Sequence, residues 1–423
     1  MAERKIKRVA VVGSGPAGLA AAYAAALNGA EVTLFEQMKR CGLKLLASGG
    51  GKCNVTNTLE LEDFAQTFGN NWRFLLPALK MFHGKKILDF FELHQVRLIK
   101  SDGFHYFPES MRSSDVVNMW LDALKSLRVK VLTDCCIDEL IIENGSIKGV
   151  RSKEKQWSFD SVILCCGGKS YPALGGLGKG YKLAGQAGHT ITPLYPAMTG
   201  MKCREEWVKE CSGISLEDAT CFIDLKRDRK NIERGELLFT RNGFSAFAVL
   251  DLAGRVAQLL DEMQEDVPVV IDFLPKMSES ELVQTVNNWR IRQGKKSVST
   301  LLTEYFPRRL ADFLLNNTDS EASQFKKSDA ELLISRIKKH PFKICGVESW
   351  DKAMVTKGGV SLKEISPETL ESRIVSGLYF SGELLDVTGR CGGYNITWAF
   401  ASGICAGTAS ATPDLKEQKS KDK

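Results

Sequence analysis

At 423 residues, with 43% hydrophobic and 26% charged side chains, the chain is long enough for two or three domains and a large core, and its composition is that of an ordinary globular protein. No apolar run is long enough to span a bilayer, and Met1–Lys5 leads into the first strand with no room for a secretory leader, so the cytoplasm is the expected compartment. The net charge of +6 is too modest to mark a dedicated nucleic-acid binder.

Val9-Ala10-Val11-Val12 reads as a buried strand and runs into Gly13-Ser14-Gly15-Pro16-Ala17-Gly18. An Ala-rich helix follows to Leu27, then a second apolar run, Val32 to Phe35, closed by Glu36 eighteen residues past Gly18. Strand, glycine turn, helix, strand and acid in that order form the dinucleotide-binding fingerprint. Gly13 allows the turn, Gly15 admits a pyrophosphate, and Gly18 lets helix and strand pack closely. The helix N-terminus offers N–H groups to the phosphates, and Glu36 accepts from ribose hydroxyls while repelling a 2′-phosphate. The motif alone leaves NAD(P) and FAD open.

The next segment is the most unusual: Ser48-Gly49-Gly50-Gly51-Lys52-Cys53-Asn54, ending at Asn57. Three successive glycines point to backbone lying close to something or to left-handed turns. Lys44 and Lys52 flank them and suit a pyrophosphate or a substrate; the Asn54 and Asn57 amides suit flavin carbonyl edges. Leu45-Leu46 and Val55 tether the loop to a core. Helices are expected over roughly 61–93, an extended piece over 104–108, and a helix from a Ser113-Ser114-Asp115 cap to about Leu127. Val129–Leu132 reads as a strand. Residues 136–142 and 147–151 read as a hairpin turning on Asn144-Gly145, and 157–166 as a strand ending buried and closed by Gly167-Gly168. Gly176 and Lys179 do not have P-loop spacing.

From about Thr192 short alternating runs, 219–225 and 236–240, suggest a small β-domain, followed by helices over 278–337. Arg290 to Lys343 carries twelve Lys/Arg against six Asp/Glu, a surplus equal to the whole net charge. Solvated helix faces are the plainer reading; a patch for an anionic substrate, an NADPH phosphate or a nucleic acid is the sharper one, though no stacking aromatics are interleaved. A buried strand returns at Leu378–Phe380. Then come Gly382-Glu383, Asp386, Gly392-Gly393 and a small-residue helix from Tyr394. Backbone N–H groups at that helix start suit negative charge on a reduced flavin, and Glu383 suits a ribityl hydroxyl. The nucleotide fold thus opens, is interrupted, and closes late, as in flavoproteins of the glutathione-reductase type. The tail after Pro413 is expected to be disordered.

The twelve cysteines show no CxxC and no His at metal spacing, so neither disulfides nor a metal site is expected. Cys53 and Cys391 are candidate redox thiols beside a flavin, against the alternative that they merely pack.

The loop from Gly42 to Asn57, the Gly167–Pro172 turn, Gly178-Lys179-Gly180-Tyr181, Gly235–Thr240, Val355–Val360 and Glu383–Asn395 together resemble the BaiN-type flavoproteins, also known as the aminoacetone oxidase-like family of FAD-dependent oxidoreductases. The resemblance spans nearly the whole chain. It departs at Cys391, where the family often has Thr, beside the basic Arg390. It implies an α/β fold: a discontinuous FAD-binding Rossmann domain (1–192 and 353–423), an inserted β-barrel (193–265 and 338–352) and a helical insertion (266–337). It implies FAD contacts at Gly13, Gly15, Pro16, Ala17, Gly18, Glu36, Gln37, Lys44, Gly50, Gly51, Lys52, Cys53, Asn54, Ile137, Gly167, Gly168, Gly382, Glu383, Asp386, Gly392, Gly393, Tyr394 and Asn395.

The expected activity is hydride exchange between flavin N5 and a small organic substrate. The direction stays open: enone reduction, with NADH or NADPH docking transiently as donor, or amine oxidation by oxygen. A flavin-bound nucleic-acid-modifying protein using the basic insertion and a flavin redox sensor are the alternatives. Proton-transfer candidates are His105, Tyr106, Tyr171 and His189, with Cys53 beside them.

Overall fold

The computed structural model describes residues 6–412 apart from 154 and 317. The tail after Pro413 lies outside the described residues. Two compact units are present: residues up to Leu194 with those from Val355 onward, and Tyr195–Met354 between them.

The first unit is built on a five-stranded parallel sheet. Its strands are β1 (Arg8–Val12), β2 (Glu31–Phe35), β3 (Lys130–Leu132), β4 (Ser161–Leu164) and β5 (Leu378–Phe380), in the order β5-β4-β1-β2-β3. Val9, Ala10 and Val11 are fully buried, as the unbroken apolar run of a sheet covered on both faces requires. Helix α1 (Pro16–Leu27) follows β1, and the last helix, α2 (Tyr394–Ala411), packs against it.

That pairing explains why both helices are made of small residues. A Cβ on Gly403 would fall 2.3 Å from Ala17 O, and one on Gly407 2.3 Å from Ala21 O. Glycine on one helix and alanine on the other let two backbones touch, which larger side chains forbid. The late strand and helix therefore complete the nucleotide fold from the far end of the chain.

Two local expectations are corrected. Helix Ser113–Ser126 begins after Arg112, and its Ser113 hydroxyl donates to Leu46 O at 2.6 Å instead of capping the helix. The run 157–166 divides into Lys155–Ser158, which joins the antiparallel hairpin, and β4, which joins the parallel sheet. The break is at Phe159-Asp160, where Asp160 accepts from Arg8 N at 2.8 Å. The hairpin turns on Asn144 and Gly145, both at positive φ (51° and 71°).

The second unit is a closed six-stranded barrel with helices. Its strands run Met201–Cys203, Gly243–Ser245, Ile232–Thr240, Ser215–Ile223, Val267–Asp272 and His340–Val347 around the barrel. Val267–Asp272 falls in the stretch read as helical. It pairs with His340–Val347, so the helices between them leave and re-enter the barrel at neighbouring strands. Barrel residues such as Phe239 and Phe342 share one apolar core with Leu282, Trp289 and Leu314 of the helices.

Candidate functional site

The glycine turn after β1 is held by Gly13 N donating to Phe35 O at 2.8 Å. A Cβ on Gly18 would lie 1.7 Å from Gly13 O, and one on Gly13 would lie 2.4 Å from Cys165 O. At both positions only hydrogen fits. Gly15 differs: a Cβ there meets nothing within 4 Å, so its backbone faces open space. Pro16 occupies the first position of α1 and no side chain caps it, so the first-turn N–H groups are left to a ligand or to water.

Glu36 ends β2 beside this turn with only 9% of its surface exposed. One carboxylate oxygen accepts from Ser14 N at 3.0 Å and from the Ser14 hydroxyl; the other accepts from Met38 N at 2.8 Å. The acid is thereby fixed over the turn, with lone pairs to spare for ribose hydroxyls. Gln37 next to it donates to Gly175 O at 2.8 Å. Ile137 is buried, and the neighbouring Cys136 thiol lies 3.0 Å from Lys179 Nζ.

The late segment reaches the same place. Gly382 packs on the first turn of α1: a Cβ there would sit 2.8 Å from the Ala17 Cβ. Its N–H donates to Ser402 Oγ at 3.0 Å. Glu383, the next residue, gathers a polar cluster. Its oxygens accept from Lys44 Nζ at 2.6 Å, Ser170 Oγ at 3.0 Å and Thr356 N at 2.7 Å. Gly168 lies against this cluster, where a Cβ would fall 2.7 Å from Glu383 Oε1. Burial and the Glu383 carboxylate together raise the nearby Tyr181 phenol. Lys44, expected on a pyrophosphate or a substrate, and Glu383, expected on a ribityl hydroxyl, are here partners of each other. Ser170 and Thr356 fall within the singled-out Gly167–Pro172 and Val355–Val360 segments, but nothing in the local sequence marks either as a partner of Glu383, 213 and 27 positions away.

The glycine loop and the start of α2 are also brought together. Gly49 and Gly50 take left-handed conformations (φ 56° and 64°), and Cβ atoms on Gly50, Gly51 and Gly167 would meet nothing within 4 Å. Asn57 Nδ2 donates to Gly392 O at 2.9 Å, and Thr397 Oγ1 donates to Val55 O at 3.1 Å. With the Asn54 amide turned so that both of its ends are satisfied, it donates to Thr56 O at 3.1 Å and accepts from Gly393 N at 3.3 Å. Asn395 closes the glycine turn on itself, accepting from Gly389 N at 2.8 Å. The Asn57 amide, expected on a flavin edge, is thus spent on joining the two segments. Asp386 is held by its backbone, donating to Val360 O at 3.0 Å. Tyr394 is buried against Phe64 at 4.9 Å. Lys52 is exposed.

Of the proton-transfer candidates, His105 lies beside this junction. Its strand pairs with Thr56-Asn57, and its Nε2 would be 3.0 Å from a Cβ on Gly392. His105 Nδ1 is 2.5 Å from Asp102 Oδ2, and Asp102 Oδ1 accepts from the N–H groups of Phe104 and His105. These bonds hold the Asp102 carboxyl well below the usual carboxylate range, the His105 side-chain bond contributing most. Asp102 was not singled out, although an acid three residues before a histidine, followed by Gly103, is a readable Asx-turn signal. His189 is structural: its ring is bonded to Glu364 (3.2 Å) and Ser372 (2.7 Å), and burial lowers its pKa. Tyr171 takes φ 53° at the start of a short turn. Cys53 is fully buried and its thiol is pushed up to about 12, so at neutral pH it is not a thiolate.

These residues fit a bound FAD. The opening at Gly15 adjoins an uncapped helix N-terminus and a fixed acid, and the glycines at 50, 51 and 167 leave backbone uncovered. Thr56 Oγ1 is buried without a hydrogen-bond partner next to Gly393. Among the described residues no group of three or more His, Cys, Asp or Glu is placed to hold a metal ion, and no helix is long and apolar enough to cross a membrane.

Comparison with known proteins agrees with this reading. Residues 7–409 match the model of the HI0933-like protein Rossmann domain. The chain is 35% identical to the 3-dehydro-bile acid delta(4,6)-reductase of Clostridium scindens, over 96% of this chain and 99% of that one. It is 31% identical to the ribosomal RNA dihydrouridine synthase of Haemophilus influenzae, over 94% and 96%. The fold matches that of the 3-ketosteroid delta1-dehydrogenase of Sterolibacterium denitrificans with a TM-score of 0.54 at 12% identity, over 96% of this chain and 100% of that one. The protein therefore belongs to the HI0933-like Rossmann family and is an FAD-dependent oxidoreductase.

Proposed function

We propose that the protein reduces a carbon–carbon double bond conjugated to a carbonyl in a small organic substrate, with NADH or NADPH as the transient electron donor. The observation that carries this is the end-to-end similarity to the bile acid reductase, whose name denotes saturation of such a bond. FAD, when bound, supplies hydride chemistry at its N5. The chain supplies everything else. The first turn of α1 and Glu36 hold the ADP half. The Lys44–Glu383 pair, Gly168 and Asp386 line the middle. The Gly50–Asn54 loop and Gly392–Asn395 border the reacting ring, where the uncapped start of α2 stabilises negative charge.

The test is direct. Purified protein should be yellow and release FAD on heating. Photoreduced under argon, it should regain oxidised-flavin absorbance on addition of a 3-oxo-4-ene steroid. Reoxidation by oxygen at a rate that an amine substrate sustains, with no response to the enone, would establish an amine oxidase instead.

A second reading has its own support. Arg292, Lys295 and Lys296 are exposed at the end of helix Glu279–Arg292, within the basic stretch. The uracil C5=C6 bond is likewise conjugated to a carbonyl, and the Haemophilus relative is named for its reduction in ribosomal RNA. RNA retention that falls steeply with salt, and is lost when those three cations become Ala, would favour it.

A further inference from the structure

Reduction of a conjugated double bond needs a proton as well as a hydride. We infer that His105, oriented by Asp102, is the group that donates it. This rests on the reductase reading.

The antiparallel pairing of Thr56-Asn57 with His105-Tyr106 carries the imidazole to the glycine turn that opens α2. At that turn Nε2 abuts Gly392, whose missing side chain is what leaves the nitrogen room. On its other side the ring is fixed: Nδ1 is held by Asp102 at 2.5 Å, and Asp102 is itself anchored by two backbone N–H groups at 3.0 and 2.7 Å. With Nδ1–H given to Asp102, the ring in its imidazolium form presents its second proton at Nε2, the arrangement that general-acid chemistry requires. The side chain keeps 25% of its surface exposed, so water can reprotonate it between turnovers.

The balance closes. Hydride, carrying two electrons, adds to the β-carbon of the conjugated system, and the π pair moves to the α-carbon as the enolate. The Nε2–H bond breaks and its proton goes to the α-carbon. The substrate gains one hydride and one proton, the cofactor is oxidised, and the neutral imidazole takes a proton from water. NADH or NADPH is the reductant that restores the cofactor. Asp102 touches neither substrate nor cofactor; it is a positioning residue.

The experiment uses the FAD-loaded full chain, photoreduced under argon and mixed with a 3-oxo-4-ene steroid. His105→Ala and His105→Gln should keep their FAD content and flavin spectrum, and should slow flavin reoxidation about 10²–10⁴-fold. Added imidazole should restore part of the rate in His105→Ala. Asp102→Asn should lower kcat with little change in KM, and Asp102→Glu should recover most of it. A readout independent of turnover is the ¹⁵N spectrum of the five histidines. FAD loading should shift the Nε2 resonance of His105, and Asp102→Asn should abolish its downfield Nδ1 proton. Wild-type reoxidation by the steroid with unchanged rates in both His105 variants would overturn the proton-donor assignment alone. Failure of wild-type protein to respond to the steroid would overturn the reductase reading, and this assignment with it.

Discussion

The contrast between Gly15 and Gly18 makes the sharpest prediction. Both belong to one motif, yet the structure gives them different work. In Gly18→Ala the new methyl group would sit 1.7 Å from Gly13 O, a backbone atom that cannot swing aside. The turn and α1 must part by about 1.5 Å, at an overpacking cost of about 1–3 kcal/mol, partly offset by about 1 kcal/mol from better helix propensity. The net cost is then up to about 2 kcal/mol, and at roughly 2–4 °C per kcal/mol the apo-protein Tm should fall by up to about 8 °C. In Gly15→Ala the methyl group meets nothing within 4 Å, and φ −68°, ψ −176° suits alanine. Apo stability should hold, or rise by about 0.4–1 kcal/mol through the unfolded chain. FAD affinity should nonetheless fall, because the methyl group occupies the space that the pyrophosphate needs; a clash of about 1–3 kcal/mol is roughly 5–150-fold in Kd. The assay is circular dichroism melting of deflavinated protein beside FAD titration by fluorescence quenching. A Gly15→Ala protein that binds FAD as tightly as wild type, or melts as early as Gly18→Ala, would refute the division of roles.

Three further outcomes are expected. Burial lowers His83 from 6.5 to about 4. The unfolded chain therefore binds its proton first, stability is complete above pH 6.5, and it is lost as pH falls towards 4, by at most about 3 kcal/mol. His83→Leu should flatten urea-derived stability across that window, and an unchanged slope would reject the assignment. Cys53, pushed up to about 12 and fully buried, should resist iodoacetamide in the folded protein; mass spectrometry showing it labelled as fast as an unfolded-chain thiol would contradict this. Gly403→Leu should destabilise the first unit by more than about 3 kcal/mol, because its Cβ alone lies 2.3 Å from Ala17 O. A soluble variant with wild-type melting would show that the α1–α2 contact is looser than described.

What could be read from the sequence was whatever short-range chemistry specifies. The β1–α1–β2 unit, the Asn144-Gly145 turn and the glycine loop each declare themselves within a few dozen residues, through periodicity and residues suited to positive φ. Two late motifs could also be assigned to the same site, because glycine-rich entries to helices are rare enough to be compared. Partnerships were not legible. Lys44 and Glu383 are 339 positions apart, and each alone reads as a ligand contact. Ser170 and Thr356 lie in segments that the motifs mark, yet nothing marks Glu383 as their partner. The barrel strand Val267–Asp272 is separated from its partner by the helices, so its apolar run was absorbed into their segment. Asp102 was overlooked for the opposite reason: it is local, but an exposed loop acid usually only solvates.

The bond from Asn57 to Gly392 spans 335 positions of the chain. At roughly 5–20 residues per second of translation, that separation is about 17–70 s of synthesis. Throughout that interval α1 has no α2, and β4, once made, waits without β5 for most of what remains, so the small-residue face and one sheet edge stay open to water. The cofactor meets a finished cradle only after nearly all the chain has been made. Newly made protein should therefore be most vulnerable to aggregation and proteolysis just before β5 and α2 are released from the ribosome.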